Sequence, residues 1–233
     1  MDDNLNYETH LLISSKKLII SVISNLDKKI YQEELILQNN SREPNFEKLD
    51  QFLNENIFKI EKKLKNFIKK TSVILDLDVF FPVEISIKKN NYGDFFNLKN
   101  LNHLLYEVKD YCKKTIDKKK IVHMMIENYQ LDNKSYSYLP NNVKCSSYIL
   151  DVKFYCIPTE LVKNLEKTLK KYQISLNQVV NSQYVKKFLS DEQSDIFLMS
   201  KKLISGHNPN EVLFVDKMPK NKGFFEKFFH FFN

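Results

Sequence analysis

Glycine is scarce in this chain of 233 residues, with Gly93, Gly206 and Gly223 as the only examples. Loops that hold phosphate groups need glycine, because backbone N–H groups must approach the phosphates and some residues must adopt positive φ. The sequence accordingly has no phosphate-binding loop, no dinucleotide-binding fingerprint and no GxSxG nucleophile turn. We therefore predict that the protein uses no cofactor and is not an enzyme.

Arginine is almost absent as well, although the net charge is +7. Arg42 is the single arginine, so nearly all of the positive charge is lysine. Base readout and phosphate binding usually recruit the forked guanidinium group. The composition therefore favours a solvated lysine surface over a nucleic-acid partner, although lysines would also help the chain approach an anionic membrane.

Residues with metal-binding chemistry are few and poorly spaced. His123 lies in an apolar strand pattern, where a structural histidine is favoured over a metal ligand. Asp76 and Asp78 alternate along a strand, so they could bind a cation, but a turn at the strand end is favoured. The cysteines have no metal-ligand spacing and are typical of reduced thiols in a cytosolic protein: Cys112, Cys145 and Cys156. No metal site is predicted.

Long apolar runs are also missing. No run approaches the roughly 20 residues that a membrane-spanning helix needs. The N-terminus is acidic and polar, which predicts no signal peptide. Any contact with a membrane is therefore expected from the cytosolic side, through the C-terminal end of the chain.

Apolar periodicity predicts alternating strands and helices. Strands are predicted as a hairpin within residues 10–24 and at 30–37, 73–77, 83–87, 120–126, 148–157 and 174–180. Amphipathic helices are predicted at 46–67, after Asn97 as N-cap, from Thr159 as N-cap to Tyr172, and at 184–189. These elements alternate without a repeat, so the fold class is α/β (α+β).

The stretch from residue 121 to 132 resembles a motif of FtsA, the bacterial actin-like cell-division protein. Ile126 replaces the proline of that motif, and the matching residues are His123, Tyr129, Leu131 and Asp132. Upstream, Asn90 and Gly93 resemble a hairpin of the same family, and Asn142 stands where the family has a glycine. The resemblance implies a partial actin-like (ribonuclease H-like) subdomain with an inserted small α+β subdomain and a C-terminal amphipathic helix.

The resemblance also implies boundaries along the chain. Residues 7–81 would begin the actin-like subdomain, 82–158 would form the inserted FtsA-type interaction subdomain, and 159–205 would return to the first subdomain. Residues 206–222 would be a flexible linker, with a brief apolar patch near Val212, and residues 223–233 would be a membrane-targeting helix.

The nucleotide-binding residues of the family are not matched. Where its first hairpin reads Asp-x-Gly-(Thr/Ser), this chain has Leu12-Ile13-Ser14-Ser15. The second phosphate loop, expected after about residue 190, and most of the second actin-like half are missing. The resemblance thus implies a shortened FtsA that binds no ATP.

The last dozen residues would form a strongly amphipathic helix. At about 100° per residue, six phenylalanines fall within one arc of roughly 160°. This face could be buried in a membrane, in a partner groove or on the protein's own core. The membrane is favoured, and the predicted membrane-binding residues are Lys222, Phe224, Phe225, Lys227, Phe228, Phe229, Phe231 and Phe232. Because so short a helix is marginal in water, one copy would bind reversibly.

Together these features predict a non-enzymatic adaptor of bacterial cell division, tethered to the cytoplasmic face of the cell membrane at midcell. Its expected partners are the anionic membrane surface, the tubulin-like division protein or late division components, and a second copy of itself. One alternative is an actin-like scaffold of the pilus-assembly type. Another is a degenerate actin-like ATPase with residual nucleotide binding.

Overall fold

The computed structural model describes residues 7–38, 42–188 and 195–213. The elements in chain order are β1 (Tyr7–Ser14), β2 (Lys17–Ser24), β3 (Lys29–Ile36), α1 (Phe46–Leu64), β4 (Lys70–Asp76), β5 (Phe81–Asn90), α2 (Leu98–Thr115), β6 (Lys119–Leu131), β7 (Lys134–Tyr136), β8 (Ser147–Pro158), α3 (Thr159–Lys170), β9 (Ser175–Asn181), α4 (Ser182–Phe188) and α5 (Ile196–Ile204).

The first sheet has five strands in the order β3-β2-β1-β4-β9. Strands β1, β2 and β3 are antiparallel neighbours, whereas β4 pairs in parallel with both β1 and β9. Apolar residues of α1 and α3 pack on one face, and those of α4 and α5 pack on the other. The central strands β1, β2 and β4 are buried on both faces, which is typical of a sheet covered by helices on each side, whereas the edge strand β3 is largely exposed.

The second sheet is antiparallel, with the strand order β5-β8-β6-β7. One of its faces is covered by α2, whose buried stripe includes Leu101, Leu104 and Val108. The chain enters this sheet after β4 and leaves it through α3, so the whole sheet is inserted between neighbouring strands of the first sheet. Asn142, at the expected glycine position, has a φ of 55°, which asparagine tolerates better than most residues.

Several helix ends differ from the predictions: α3 ends at Lys170, before Tyr172, and α4 begins at Ser182, before Tyr184. Thr159 is the first residue of α3 and not its N-cap; Pro158 occupies the N-cap position without a side-chain cap hydrogen bond. Helix α1 begins at Phe46 behind its N-cap Asn45, but it ends at Leu64, before the predicted boundary. It ends there because Lys65 takes a left-handed φ of 52°, which turns the chain and leaves Phe67 outside the helix.

Two elements of the structure, β7 and α5, are not predicted from the sequence. The short strand β7 forms a hairpin with the end of β6. Helix α5 begins behind Asp195, whose carboxylate accepts the N–H of Phe197 at 2.8 Å, and it buries Phe197, Met199 and Leu203. The apolar pattern beyond residue 191 is too short to distinguish this helix from a strand or loop.

Candidate functional site

The two sheets meet beside strand β9, where a groove of about 290 Å³ lies between β6, α3 and β9. Its apolar floor includes Met124, Val162 and Val179, which are buried. The remaining lining residues are Lys109, Lys120, Ile121, Val122, Glu166, Leu176, Asn177, Gln178, Val212 and Leu213. We call this the β6–β9 groove.

Two strand edges border the groove. Strand β9 is the last strand of the first sheet, so its second edge has no strand partner within the described residues. In the same described part of the chain, no strand pairs with the outer edge of β6 between Lys119 and His123. An unpaired strand edge presents backbone N–H and C=O groups that can accept an additional strand.

A little farther along, the outer edge of β6 is already occupied by residues 210–212. The N–H of Ile126 donates to the carbonyl of Asn210 at 2.9 Å, and the N–H of Val212 donates to Met124 at 2.8 Å. Glu211 forms an antiparallel bridge with Met125. The prediction of a linker at 206–222 is therefore wrong for residues 210–212, because backbone pairing fixes them against β6.

A chain of buried hydrogen bonds holds the same segment in place. The Glu211 carboxylate contacts His123 Nδ1 at 2.8 Å and accepts the Tyr184 hydroxyl at 3.0 Å. Asn208 Nδ2 in turn donates to the Tyr184 oxygen at 2.6 Å. On its other side, His123 Nε2 accepts the backbone N–H of Asn181, at the end of β9, at 3.0 Å. The network thus joins β6, β9, α4 and the segment after α5.

These bonds fix the tautomer of His123. A backbone amide can only donate, so Nε2 must be the unprotonated nitrogen and Nδ1 must carry the hydrogen. Nδ1 therefore donates to Glu211, and the imidazole is neutral beside a carboxylate. Burial, followed by the charge of Glu211, raises the pKa of Tyr184 far above its ordinary value. His123 is 1% exposed and both of its ring nitrogens have protein partners, as expected for a structural histidine.

The FtsA resemblance would place nucleotide phosphates beside the turn between β1 and β2, at the carboxyl ends of the parallel strands and next to the His123 network. The parallel strands β1, β4 and β9 end there at Ser14, Asp76 and Asn181. Asp76 accepts a hydrogen bond from the Ser182 hydroxyl and contacts Lys186 Nζ at 3.3 Å. Asp76 thus ends β4, as predicted, and its carboxylate is occupied by protein groups.

The turn between β1 and β2 is held by hydrogen bonds among its own residues. Ser14 Oγ accepts the N–H of Lys17 at 3.0 Å and donates to the Lys17 carbonyl at 3.0 Å. It also accepts the N–H of Lys16 at 3.3 Å. Because these amides are satisfied within the turn, they are not directed towards a phosphate. Within the described residues, no group of three or more histidine, cysteine or carboxylate side chains could hold a metal ion.

The family-motif residues lie mainly at the far end of the second sheet. Asp132 accepts the N–H groups of Ser146 and Ser147 at 2.9–3.1 Å, and the Gly93 N–H donates to Cys145 at 3.0 Å with φ 83°. Asn90 is exposed at the end of β5, whereas Tyr129 and Leu131 are buried under α2. Only His123 approaches the β6–β9 groove, so the structure does not bring these six residues together as one site.

The predicted membrane-binding residues at 222–232 lie outside the described residues. Among the residues that are described, no helix is both long and apolar enough to span a bilayer.

No protein-family model matches this sequence, and no curated protein matches it significantly. Solved structures match it in fold. One belongs to the PilM–PilN type IV pilus biogenesis complex, with a TM-score of 0.51 and 10% identity over 78% of this chain and 49% of that one. The cytoplasmic domain of EpsL, an inner-membrane component of the type II secretion system of Vibrio cholerae, matches with a TM-score of 0.35, 12% identity, and 77% and 57% coverage.

A third match is a Bacteroides thetaiotaomicron protein with an actin-like ATPase fold and unknown function, with a TM-score of 0.35, 11% identity, and 81% and 58% coverage. The present chain thus spans only 49–58% of the length of these three proteins. Its mixed α/β architecture is that of a partial actin-like domain, and the predicted fold class is confirmed.

Proposed function

We propose that this protein is a non-enzymatic actin-like scaffold that binds an extended segment of a partner protein in the β6–β9 groove. The observation that carries this proposal is that two strand edges, those of β9 and of the first half of β6, have no strand partner among the described residues and lie on either side of an apolar floor. An added strand would gain main-chain hydrogen bonds from an edge and side-chain contacts from the floor.

The chain itself supplies a precedent for such pairing. Residues 210–212 bind the outer edge of β6 in an antiparallel orientation through two short backbone hydrogen bonds. The unpaired part of the same edge, from Lys119 to His123, continues directly into the groove. Lys120 and Glu166 form an ion pair of 3.6 Å between β6 and α3, and both side chains are about half exposed. So exposed a pair holds the two elements together only weakly and would yield to an incoming segment.

The scaffold is proposed to bind no ATP. Support comes from the β1–β2 turn, which satisfies its own amides through Ser14, and from Asp76, which is engaged by Ser182 and Lys186. Isothermal titration of the full chain with Mg²⁺ and ATP is expected to give no heat of binding. Tight binding would favour the degenerate ATPase instead.

The assembly that this scaffold serves has two candidates. The FtsA resemblance favours cell division at the cytoplasmic face of the membrane. The fold of a PilM–PilN pilus complex supports the pilus-type alternative equally well. A fluorescent fusion in the native cell separates them: a midcell ring is expected for division, whereas a polar or envelope-wide signal favours pilus assembly.

The terminal phenylalanines are proposed to tether the scaffold to anionic lipid. Co-sedimentation with phosphatidylglycerol vesicles tests this part separately. Weaker binding by Phe228→Glu is expected, and an intact chain that fails to bind at all would refute the tether.

The groove is tested by photo-cross-linking in the native cell. A photoreactive amino acid at Gln178, which lines the groove, is expected to cross-link to the cytoplasmic segment of a membrane protein. Leu176→Arg should abolish the product, because it places a bulky charge in the half-buried wall of the groove. Ile36→Arg is the matched control, since Ile36 is 75% exposed on the opposite edge strand of the same sheet.

Two results would contradict the proposal. The cross-linked product could persist in Leu176→Arg, or the photoreactive group could react only with residues 214–233 of the same chain. The second result would make the groove an internal docking site rather than a partner site.

A further inference from the structure

Two phenylalanines lie on the surface in and just after α1, far in the sequence from the phenylalanines at 224–232. Phe58 and Phe67 are each 74% exposed. They line one open cavity of about 500 Å³ together with Lys69 and Lys171. We call this surface the Phe58–Phe67 face. Single exposed apolar residues are ordinary, but two large aromatic rings bordering one cavity indicate a surface that meets something apolar.

The backbone around Phe67 is fixed, so its exposure does not result from a loose loop. The Asn66 N–H donates to the Glu61 carbonyl at 3.3 Å, and the Ile68 N–H donates to the Glu61 carboxylate at 3.1 Å. The Phe67 carbonyl accepts the Tyr7 hydroxyl at 3.0 Å. Ile68 is buried at 2% exposure, which directs its neighbour Phe67 outwards.

The charged residues that line this cavity are Lys69, Lys171 and Glu61. Glu61 accepts the Ile68 amide, and Lys171 is paired with Asp50 at 2.8 Å. Within residues 58–70 the exposed lysines are Lys59, Lys62, Lys63, Lys65, Lys69 and Lys70, of which Lys69 lines the cavity. None of these six forms an ion pair with another described residue, although Lys63 lies over the Tyr31 ring, 5.7 Å from its centroid.

We infer that the Phe58–Phe67 face is a second membrane-contact surface, which inserts its two rings between anionic lipids while the surrounding lysines bind their headgroups. This inference goes beyond the proposed scaffold and is independent of its C-terminal tether. Projecting aromatic rings with exposed lysines beside them in the chain complement the apolar and anionic layers of a lipid surface. Each lysine close to an anionic membrane raises partitioning by about fivefold.

The test measures co-sedimentation of the full chain with vesicles of phosphatidylcholine alone or mixed with phosphatidylglycerol. The double variant Phe58→Glu with Phe67→Glu is expected to lower the partition coefficient on the anionic vesicles by at least about tenfold. Leu26→Glu is the matched control, because Leu26 is an 80% exposed apolar residue on the β2–β3 turn. Thermal unfolding shows that each variant is folded.

A second pair of variants tests the charge. Lys62→Glu with Lys69→Glu should weaken binding to anionic vesicles, whereas Lys88→Glu, on the exposed edge of the second sheet, should not. Raising the salt concentration should weaken wild-type binding, because salt screens the attraction of lysine to lipid headgroups.

A third variant separates the contribution of this face from that of the C-terminal phenylalanines. Phe228→Glu should retain part of the anionic-vesicle binding, and the further addition of Phe58→Glu and Phe67→Glu should remove that remainder. The inference is overturned if Phe228→Glu alone abolishes binding. That result would still support the proposal that the terminal phenylalanines tether the protein to lipid. It is also overturned if the double phenylalanine variant binds as the wild type does; the two rings would then be free for a protein partner.

Discussion

His123 Nδ1 and Glu211 Oε1 lie 2.8 Å apart although 88 positions separate the two residues in the chain. Both side chains are buried, at 0% and 3% exposure. The contact joins a strand of the inserted sheet to the segment that follows the last described helix. A buried carboxylate needs hydrogen-bond donors, and here the imidazole and the Tyr184 hydroxyl provide them.

The first prediction concerns this carboxylate. Glu211→Gln is expected to lower the free energy of unfolding by about 1–3 kcal/mol, because an amide nitrogen would face one of the two donors. Urea denaturation measures the change. Glu34→Gln, at the exposed ion pair with Lys17, is the control and should cost less than about 1 kcal/mol. Equal losses in the two variants would show that the buried network stabilises the fold no more than an exposed ion pair does.

A second prediction concerns the backbone of the same segment. Val212→Pro removes the N–H that donates to Met124, and we expect a loss of about 1–3 kcal/mol. Leu213→Pro is its neighbour and control, since the Leu213 N–H makes no backbone hydrogen bond among the described residues. Hydrogen exchange should quicken at Ile126 in the first variant only, and unchanged protection would count against fixed pairing of residues 210–212.

The third prediction is a loss of stability at alkaline pH. Burial, the hydrogen bond to Asp50 and the Asp50 charge raise the pKa of Tyr172 to about 12 from an ordinary 10.0. The folded state therefore favours the neutral phenol, and this contribution is complete below pH 10 and is lost as the pH rises from 10 to 12.

Spectrophotometric titration of the phenol and urea denaturation at several pH values measure this effect. Tyr172→Phe should reduce the fall in stability between pH 10 and pH 12, whereas Tyr92→Phe, at 87% exposure, should leave it unchanged. Identical pH profiles for the wild type and Tyr172→Phe would contradict the assignment.

A fourth prediction concerns the thiols, which are all free and buried. Burial raises the pKa of Cys156 to about 12 and also raises the pKa of Cys112 and that of Cys145. The thiolate is the reactive form, so Ellman's reagent should react with no thiol in the native protein and with three after denaturation. Leu26→Cys supplies an exposed control thiol that should react at once. Rapid native reaction of an original thiol would disprove its burial.

The sequence predicts those parts of the fold in which the apolar pattern is long. Helix α1 follows from apolar residues at three- and four-residue steps over 19 residues, and the predicted strands of both sheets are present. The end of helix α1 at Leu64 could not be predicted from the sequence. It depends on the left-handed conformation of Lys65 and on the hydrogen bonds that Glu61 makes with the following loop.

The β6–β9 groove could not be predicted, because an unpaired strand edge is a property of the sheet order and not of any one strand. For the segment at 208–213, the Asn- and Pro-rich composition predicts a linker. The one sequence feature that argues against a linker is the apolar patch near Val212, which is typical of a segment that packs against the fold. Glu211 gives no such signal, since a buried role for a lone glutamate depends on donors that lie far away in the sequence.

The insertion of one sheet between neighbouring strands of the other also has a consequence for folding kinetics. Asn177 Nδ2 on β9 donates to Ser72 Oγ on β4 at 3.0 Å across 105 positions. Pairing of strands so far apart must overcome the entropy of closing a long loop, unless the intervening residues are already compact. We therefore expect the inserted sheet to form first. Its compact fold would lower the entropy cost of bringing β9 to β4, so that β9 is among the last strands to join the first sheet.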